Sequence, residues 1–274
     1  MDLVTAFYTF KMKLMKGLFN VLLALDVGNT NIVIGCIDKE NIFFECRLST
    51  DRNKTEAEYA VLLKNLFEIY DIKLDEIDGA IISSVVPPVT NPLKNAVRTV
   101  TGSEAVEVSI DMKHGLILKT DNPHELGNDL IVVAVAAMHK FKPPLTIFDM
   151  GTATTISVID KDGVFRGVSI FPGVKTAMNA LFDNASQLPA IRIDAPKSVI
   201  GENTVESMQS GAVFGNVAMM DGMIDRIEKE LGYKTTIIAT GGLAQFLIPH
   251  CTHEIIYDEA ILLRGLYLLY QMNR

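Results

Sequence analysis

The feature that most constrains this chain is a duplication. Residues 24–31 read ALDVGNTN and residues 147–154 read IFDMGTAT. Each is an apolar run ending in an aspartate, then one apolar residue, a glycine, and small residues with hydroxyl or amide side chains. The match is longer than the motif. LDVGNTNIVIGCIDKENIFFE, residues 25–45, aligns with FDMGTATTISVIDKDGVFRG, residues 148–167, when one residue is skipped. The period-two alternation in NIVIGCI and TTISVI predicts strands. Glu40 and Asn41, and Asp162 with Gly163, sit where a second turn needs turn-forming residues. The expectation is strand, tight turn, strand, turn, strand, made twice, and therefore two related halves.

Each half continues in mixed α/β fashion. Thr55 and Glu58 form a capping-box pattern that opens a helix through AEYAVLLKNLFEIY. GAIISSVV reads as a strand ended by Pro87 and Pro88, which suit the first turn of a helix. AVEVSI predicts another strand, and ELGNDLIVVAVAAMHKF a helix with Ile131, Val135 and Met138 on its apolar side. TVESMQSGAVFGNVAMMDGMIDRIEKEL predicts a long helix. Its Ser210, Gly211 and Gly215 weaken helix propensity, so close approach by another group is expected there. TTIIATGGL predicts a strand entering a double-glycine turn, and EAILLRGLYLLYQMN a final amphipathic helix. KFKPPLT, around Pro143 and Pro144, is the best boundary between halves. The expected domains are residues 21–140 and 141–274, with the final helix, about residues 258–274, able to return to the first.

Composition narrows the function classes. The 274 residues carry 25 Lys and Arg against 33 Asp and Glu, a formal charge of −8. Without an arginine-rich stretch, an acidic chain is a poor nucleic-acid binder, because phosphate neutralisation needs clustered cations. No apolar run approaches the ~20 residues of a membrane helix; Asp26 interrupts VLLALDVG. No membrane or nucleic-acid partner is expected. Cys36, Cys46 and Cys251 show no metal or disulfide spacing, which points to buried thiols in a reducing, cytoplasmic setting. Cys36 and Cys46 could face one another across a hairpin. Residues 1–20 are basic and apolar without a cleavage site. They read as an amphipathic appendage without catalytic duty, or as upstream sequence preceding a start at Met12 or Met15.

A buried strand that delivers an aspartate to a glycine turn places a charge at a sheet rim. Glycine lets backbone approach a ligand closely. Asn29 and Thr30, or Thr152 and Thr154, add donors. Such a turn can cradle phosphate oxygens while the aspartate holds a cation directly or through water. One such turn alone is more often a structural hairpin. Two in matching contexts, with a later ATGGL turn, favour a nucleotide phosphotransferase.

Asp26-Val27-Gly28-Asn29-Thr30 and Asp149-Met150-Gly151-Thr152-Ala153-Thr154-Thr155 resemble the two phosphate motifs of the acetate and sugar kinase, Hsp70 and actin superfamily. More narrowly, SSVVPPV, DNPHELGND, DMGTATT, FPGV, GENT, SGAVFG and ATGGLA, in that order, resemble the type III pantothenate kinases. The resemblance covers nearly everything from Val21 onward. It implies an α/β fold of two similar actin-like (ribonuclease H-like) domains with a nucleotide cleft between them. It implies ATP-dependent phosphorylation of pantothenate to 4'-phosphopantothenate, the first step of coenzyme A biosynthesis. Magnesium, a monovalent cation such as potassium or ammonium, and a homodimer are implied as well.

Carried onto this sequence, the resemblance implies that Asp26, Val27, Gly28, Asn29, Thr30, Asn31, Ile32 and Val33 line the ATP phosphates. Asp26 would hold magnesium through water, and Thr152 would also touch ATP. Asp149 would hold the monovalent cation. Asp129 would be the catalytic base, since phosphoryl transfer mostly needs a positioned nucleophile and charge neutralisation. Gly127, Asn128, Asp129, Leu130 and Thr204 would border pantothenate. Gly241 and Gly242 would admit the adenine-ribose end. Helix capping also suits Asp129 and Thr204, and a plain strand-to-helix turn suits the two glycines. His124 lies inside the substrate-loop match, whereas His114, His139, His250 and His253 show no metal-ligand spacing. Met219, Met220 and Met223 read as core filler.

Two departures fall on the acceptor side. The family pattern has arginine straight after the base, where this chain has Leu130, and a tyrosine before DNP, where it has Thr120. An arginine could clamp a carboxylate or phosphate with two hydrogen bonds; leucine cannot. Three readings follow: a pantothenate kinase in which Lys119 or Lys175 substitutes, a kinase for another small hydroxyl compound, or a non-catalytic nucleotide-binding regulator.

Overall fold

The computed structural model describes residues 21–274; the expectations placed on residues 1–20 lie outside them. The chain divides into two compact units. One comprises the described residues up to His114, with Gly127–Val132 and Leu262–Arg274; the other comprises Gly115–Leu126 and Val133–Ile261.

In the first unit, β1 (Val21–Val27), β2 (Asn31–Ile37) and β3 (Ile42–Ser49) form the expected antiparallel meander. β4 (Ile77–Ser84) adds in parallel to β1, and β5 (Ala105–Glu107) in parallel to β4, giving the order β3-β2-β1-β4-β5. One sheet face is apolar at every second residue, Leu23, Leu25 and Val27 on β1 and Ile32 and Ile34 on β2. It packs on Tyr59, Leu63 and Phe67 of α1 (Glu56–Ile69) and on Val89, Leu93 and Val97 of α2 (Pro87–Thr101). The capping box opens α1 as expected: Glu58 N donates to Thr55 Oγ1 at 3.4 Å and Thr55 N to Glu58 Oε2 at 2.7 Å. Pro87 and Pro88 start α2, and Gly102, at φ 75°, ends it.

The opposite face of this sheet is kept shallow by glycine. A Cβ on Gly35 would strike Leu263, and one on Gly79 would strike Tyr270, both on α8 (Ile261–Asn273). Gly265 of α8 lies against the Val132 carbonyl of α3 (Asn128–Lys140), with no room for a side chain. Three glycines thus seat a helix from the far end of the chain and the start of α3 within the first unit. Arg264 adds a polar clasp, donating to the carbonyls of Asp38, Lys39 and Glu40 at 3.2, 3.1 and 2.6 Å.

The second unit repeats the plan. β7 (Leu145–Met150), β8 (Ala153–Ile159) and β9 (Val164–Pro172) are an antiparallel meander, and β10 (Thr236–Thr240) lies parallel to β7 with β11 (Ile256–Tyr257) beyond it. The short β6 (Ile117–Leu118) extends the far edge, giving β11-β10-β7-β8-β9-β6. Without β6 this is the order of the first sheet. The core gathers Phe148, Met150 and Ile156 with Val174 of α4 (Val174–Asn184), with Val217, Met220 and Ile224 of α6 (Asn216–Leu231), and with Leu247 of the short α7 (Ala244–Leu247).

The repeated IDK has a structural cause. Asp38 and Asp160 are both buried, and each caps the turn it opens. Asp38 Oδ1 accepts from Glu40 N and Asn41 N at 2.7 and 2.6 Å; Asp160 Oδ1 accepts from Asp162 N and Val164 N, both at 3.0 Å. An aspartate two to four residues before the turn's N–H groups satisfies donors that a hairpin leaves open.

Three expectations need correction. The long helix is interrupted: α5 (Thr204–Ser210) passes through a π-helical turn, Gly211–Gly215, into α6. Nothing in the described chain approaches Gly211 or Gly215, where an added Cβ would meet no atom within 4 Å. The small residues accompany the looser π turn, and only Ser210 meets a neighbour, its hydroxyl donating to the Val199 carbonyl. Cys36 stands opposite Phe44, not Cys46, which stands opposite Ile34. The two thiols share a face one pair apart and are free, and burial pushes the Cys36 pKa above the ordinary thiol range.

Candidate active site

The first glycine turn joins β1 to β2. Asp26 is half-buried near the end of β1, in register with Val33 on β2 and Ser83 on β4. Gly28 N donates to Asn31 O at 3.0 Å and closes the turn. The chain leaving β3 then braces it: Thr50 Oγ1 donates to Gly28 O at 2.6 Å and Thr50 N to Thr30 O at 2.9 Å. Asn29, Thr30 and Asn31 are exposed, whereas Val27 and Ile32 have side chains wholly in the core. Those two could meet a ligand through backbone alone. Arg52, which sequence reasoning did not single out, donates from Nη2 to Asn29 Oδ1 at 3.2 Å.

The end of β4 carries a second set. Ser83 Oγ is fully buried without a hydrogen-bond partner, on the strand next to Asp26. Ser84 Oγ accepts from Val86 N at 3.1 Å and from Thr90 Oγ1 at 2.7 Å, fixing the passage into α2. Asn128, the first residue of α3, donates from Nδ2 to Ser84 O at 3.4 Å. Asp129 follows directly. Burial pushes its carboxyl above the usual aspartate value, while the N–H groups of Leu130, at 2.9 Å, and of Asp129 itself pull the other way. Asp129 is thus the second residue of α3, not the residue before it where a cap was expected, and it accepts from an N–H of the first turn at the cost of a partly desolvated charge. A side chain on Gly127 would collide with the Asp129 carboxylate, so only glycine leaves it that position. Leu130 is 8% exposed and belongs to the core.

The second glycine turn joins β7 to β8 and is built alike. Asp149 is half-buried near the end of β7, in register with Thr155 on β8 and Thr240 on β10. Gly151 N donates to Ala153 O at 3.0 Å. The bracing again comes from beyond the third strand, as Thr152 O accepts from Gly173 N at 3.0 Å and from Thr176 Oγ1 at 2.7 Å. Two further glycines crowd the turn. A Cβ on Gly173 would strike the carbonyls of Gly151 and Thr152, and Gly241, at φ 94°, has the Met150 carbonyl 2.5 Å from where its Cβ would be. Gly241 is thus constrained by both conformation and space, and Gly242 lies half-buried beside it.

Thr204 is exposed and begins α5, but the residue that caps this helix is Asn203, whose Oδ1 accepts from Glu206 N at 3.0 Å. The capping expectation was one residue late because both neighbours suit the position. Thr120, in the family's tyrosine place, keeps a buried hydroxyl without a hydrogen-bond partner. Lys119, Lys175 and His124 are exposed. His253 pairs instead with Asp225 at 3.1 Å. Among the described residues no three His, Cys, Asp or Glu side chains are grouped to hold a metal. A cation here would rely on one carboxylate completed by water and phosphate, the habit of magnesium.

The family model for type III pantothenate kinases matches residues 22–226. A type III pantothenate kinase of Exiguobacterium sp. is 42% identical over 254 residues, covering 93% of this chain and all of the relative. The chain belongs to the type III pantothenate kinase family. Solved structures extend the comparison of fold. A Campylobacter jejuni protein assigned to the Baf family of transcriptional activators matches with TM-score 0.55 at 20% identity, covering 92% of this chain and 98% of that one. MreB 5 of Spiroplasma citri, solved with AMPPNP, matches with TM-score 0.51 at 9% identity, covering 92% and 96%. The fold of this family member is thus the actin-like one, in which both glycine turns stand at the ends of the first strands of two like sheets. Thr50, Thr176 and Arg52 carry no family motif that sequence reading used; they are found only because long-range contacts bring them to the turns.

Proposed function

We propose that the chain phosphorylates pantothenate with ATP, producing 4'-phosphopantothenate for coenzyme A biosynthesis. Family membership at 42% identity over the full length of a relative supports the activity. The observation that carries the residue roles is local to the first unit. Asp26 and Ser83 lie side by side on β1 and β4, and Asn128 ties the segment bearing Asp129 to the end of β4. The residues fit a magnesium nucleotide: an exposed turn for phosphate, one half-buried carboxylate, and an unsatisfied buried hydroxyl beside it.

Bound ATP with magnesium would supply the transferable phosphoryl group and neutralise its charge. Asp26 would hold magnesium through water, and the turn from Gly28 to Asn31 would receive phosphate oxygens. Asp129 would orient the acceptor hydroxyl and take its proton. A carboxyl raised by burial is a better proton acceptor than an ordinary aspartate, which favours that role. Thr152 would meet ATP, Asp149 would hold potassium or ammonium, and Thr204 would meet pantothenate. Two actin-like domains, with the last helix returned to the first, a homodimer and a cytoplasmic setting complete the reading. Among the described residues no helix is long and apolar enough to cross a membrane.

Purified protein with ATP, magnesium, potassium and pantothenate is expected to release ADP in step with phosphopantothenate. Release of ADP only with a different alcohol would replace the acceptor, and Leu130 would then be the first residue to examine. Nucleotide binding with no turnover on any acceptor would replace the enzyme by a regulator.

A further inference from the structure

We propose that Arg52 is a phosphate-positioning residue of the first turn, acting through Asn29 and through its own charge. The proposal rests on the reading of that turn as the ATP phosphate site. The segment leaving β3 touches the turn three times, through Thr50 Oγ1 to Gly28 O at 2.6 Å, Thr50 N to Thr30 O at 2.9 Å, and Arg52 Nη2 to Asn29 Oδ1 at 3.2 Å. All three contacts donate to turn oxygens. They occupy two carbonyls and one amide oxygen, groups that would otherwise repel an anion.

The third contact does more. A guanidinium has donors and no acceptor, so the side-chain amide of Asn29 must present its oxygen to Arg52. Its Nδ2 donors are thereby turned away from Arg52 and made available to an incoming oxyanion. Arg52 is exposed, and no carboxylate of the described residues pairs with it, so its charge is not cancelled locally. A planar guanidinium with further N–H groups suits phosphate. At the second turn the corresponding contacts to a carbonyl, from Gly173 N and Thr176 Oγ1 to Thr152 O, come from neutral groups. The turn that Arg52 braces lies in the same unit as Asp129.

The test is equilibrium binding of ATP with magnesium to the full chain, with pantothenate turnover as the second readout. Arg52→Ala is expected to weaken ATP binding about tenfold, the scale of one charged hydrogen bond. The KM for pantothenate should stay the same, and so should the thermal midpoint without nucleotide. Arg52→Lys should recover part of the loss, by keeping charge but not the fixed fork. Asn29→Ala, combined with Arg52→Ala, should cost less than the two losses multiplied, because one acts through the other. Increasing salt should erode ATP binding more in the parent than in Arg52→Ala. Equal ATP affinity of parent and Arg52→Ala would overturn the assignment while leaving the kinase reading intact. No ATP binding by the parent would instead remove the phosphate reading of the turn itself. A lowered thermal midpoint with unchanged ATP affinity would make Arg52 a structural brace only.

Discussion

Asn128 reaches back from the first residue of α3 to the carbonyl of Ser84, where β4 ends. The residues are 44 apart in sequence. This contact holds the segment that carries Asp129 beside the strand that neighbours Asp26. Replacement of Asn128 by Ala should therefore loosen Asp129, the proposed base, without touching the turn proposed to hold phosphate. We expect kcat to fall roughly tenfold to a hundredfold, the cost of a small misplacement of a reacting group. The ATP dissociation constant should be unchanged, and an equal loss in both would place Asn128 on the nucleotide.

Asp129→Asn separates chemistry from stability. Turnover should fall by about 10²–10⁴-fold, the usual contribution of a positioned base, while ATP binding persists. The folded pKa of Asp129 is raised, so the native state holds its proton more tightly than the unfolded one. Stability from this group is therefore present at low pH and is lost as pH rises through the raised value. Removing the charge should then raise the thermal midpoint at neutral pH and change it little below the ordinary aspartate value of about 3.8. Near-parent turnover would end the assignment as base.

Asp160 behaves oppositely. Its burial opposes ionisation, but Val164 N, Arg166 and Asp162 N together outweigh that and hold its pKa below the usual value. The stability it confers is present above the unfolded value and fades as pH falls through the lower folded one. Asp160→Ala should cost about 1–3 kcal/mol near neutrality, since two partly buried N–H groups lose a charged acceptor. Urea midpoints of parent and variant should converge in acid.

Gly265→Ala tests how the final helix is seated. The new methyl would press on the Val132 carbonyl of α3, which is backbone and cannot swing aside. Such overpacking costs about 1–3 kcal/mol, and chemical denaturation should show it. Gly222→Ala on α6, where an added Cβ meets nothing within 4 Å, is the control and should be neutral or mildly stabilising.

Asp149→Ala should abolish stimulation of turnover by potassium while leaving the protein folded. The assay compares ADP release with and without potassium at saturating ATP. A preserved potassium response would remove the cation from this carboxylate.

Much was legible in sequence because its causes are local. The alternation in NIVIGCI and TTISVI, the glycine after each aspartate, the Thr55–Glu58 box and Pro87 each act within a few residues. Repetition of such signals announced two like sheets before any contact was known. Asn203 rather than Thr204 as cap, and the π turn at Gly211–Gly215, escaped because several small polar residues suit either register. Tertiary structure alone decided which distant groups serve the turns. Thr50, Arg52 and Thr176 have ordinary local surroundings, and only the return of the chain past a third strand brings them to Gly28, Asn29 and Thr152. Likewise no pattern near Gly35 and Gly79 reveals that α8 must lie against them, nor any near Gly265 that α3 must. Backbone preference is a property of neighbours in sequence, whereas close packing and the orientation of a donor depend on atoms that folding alone makes neighbours.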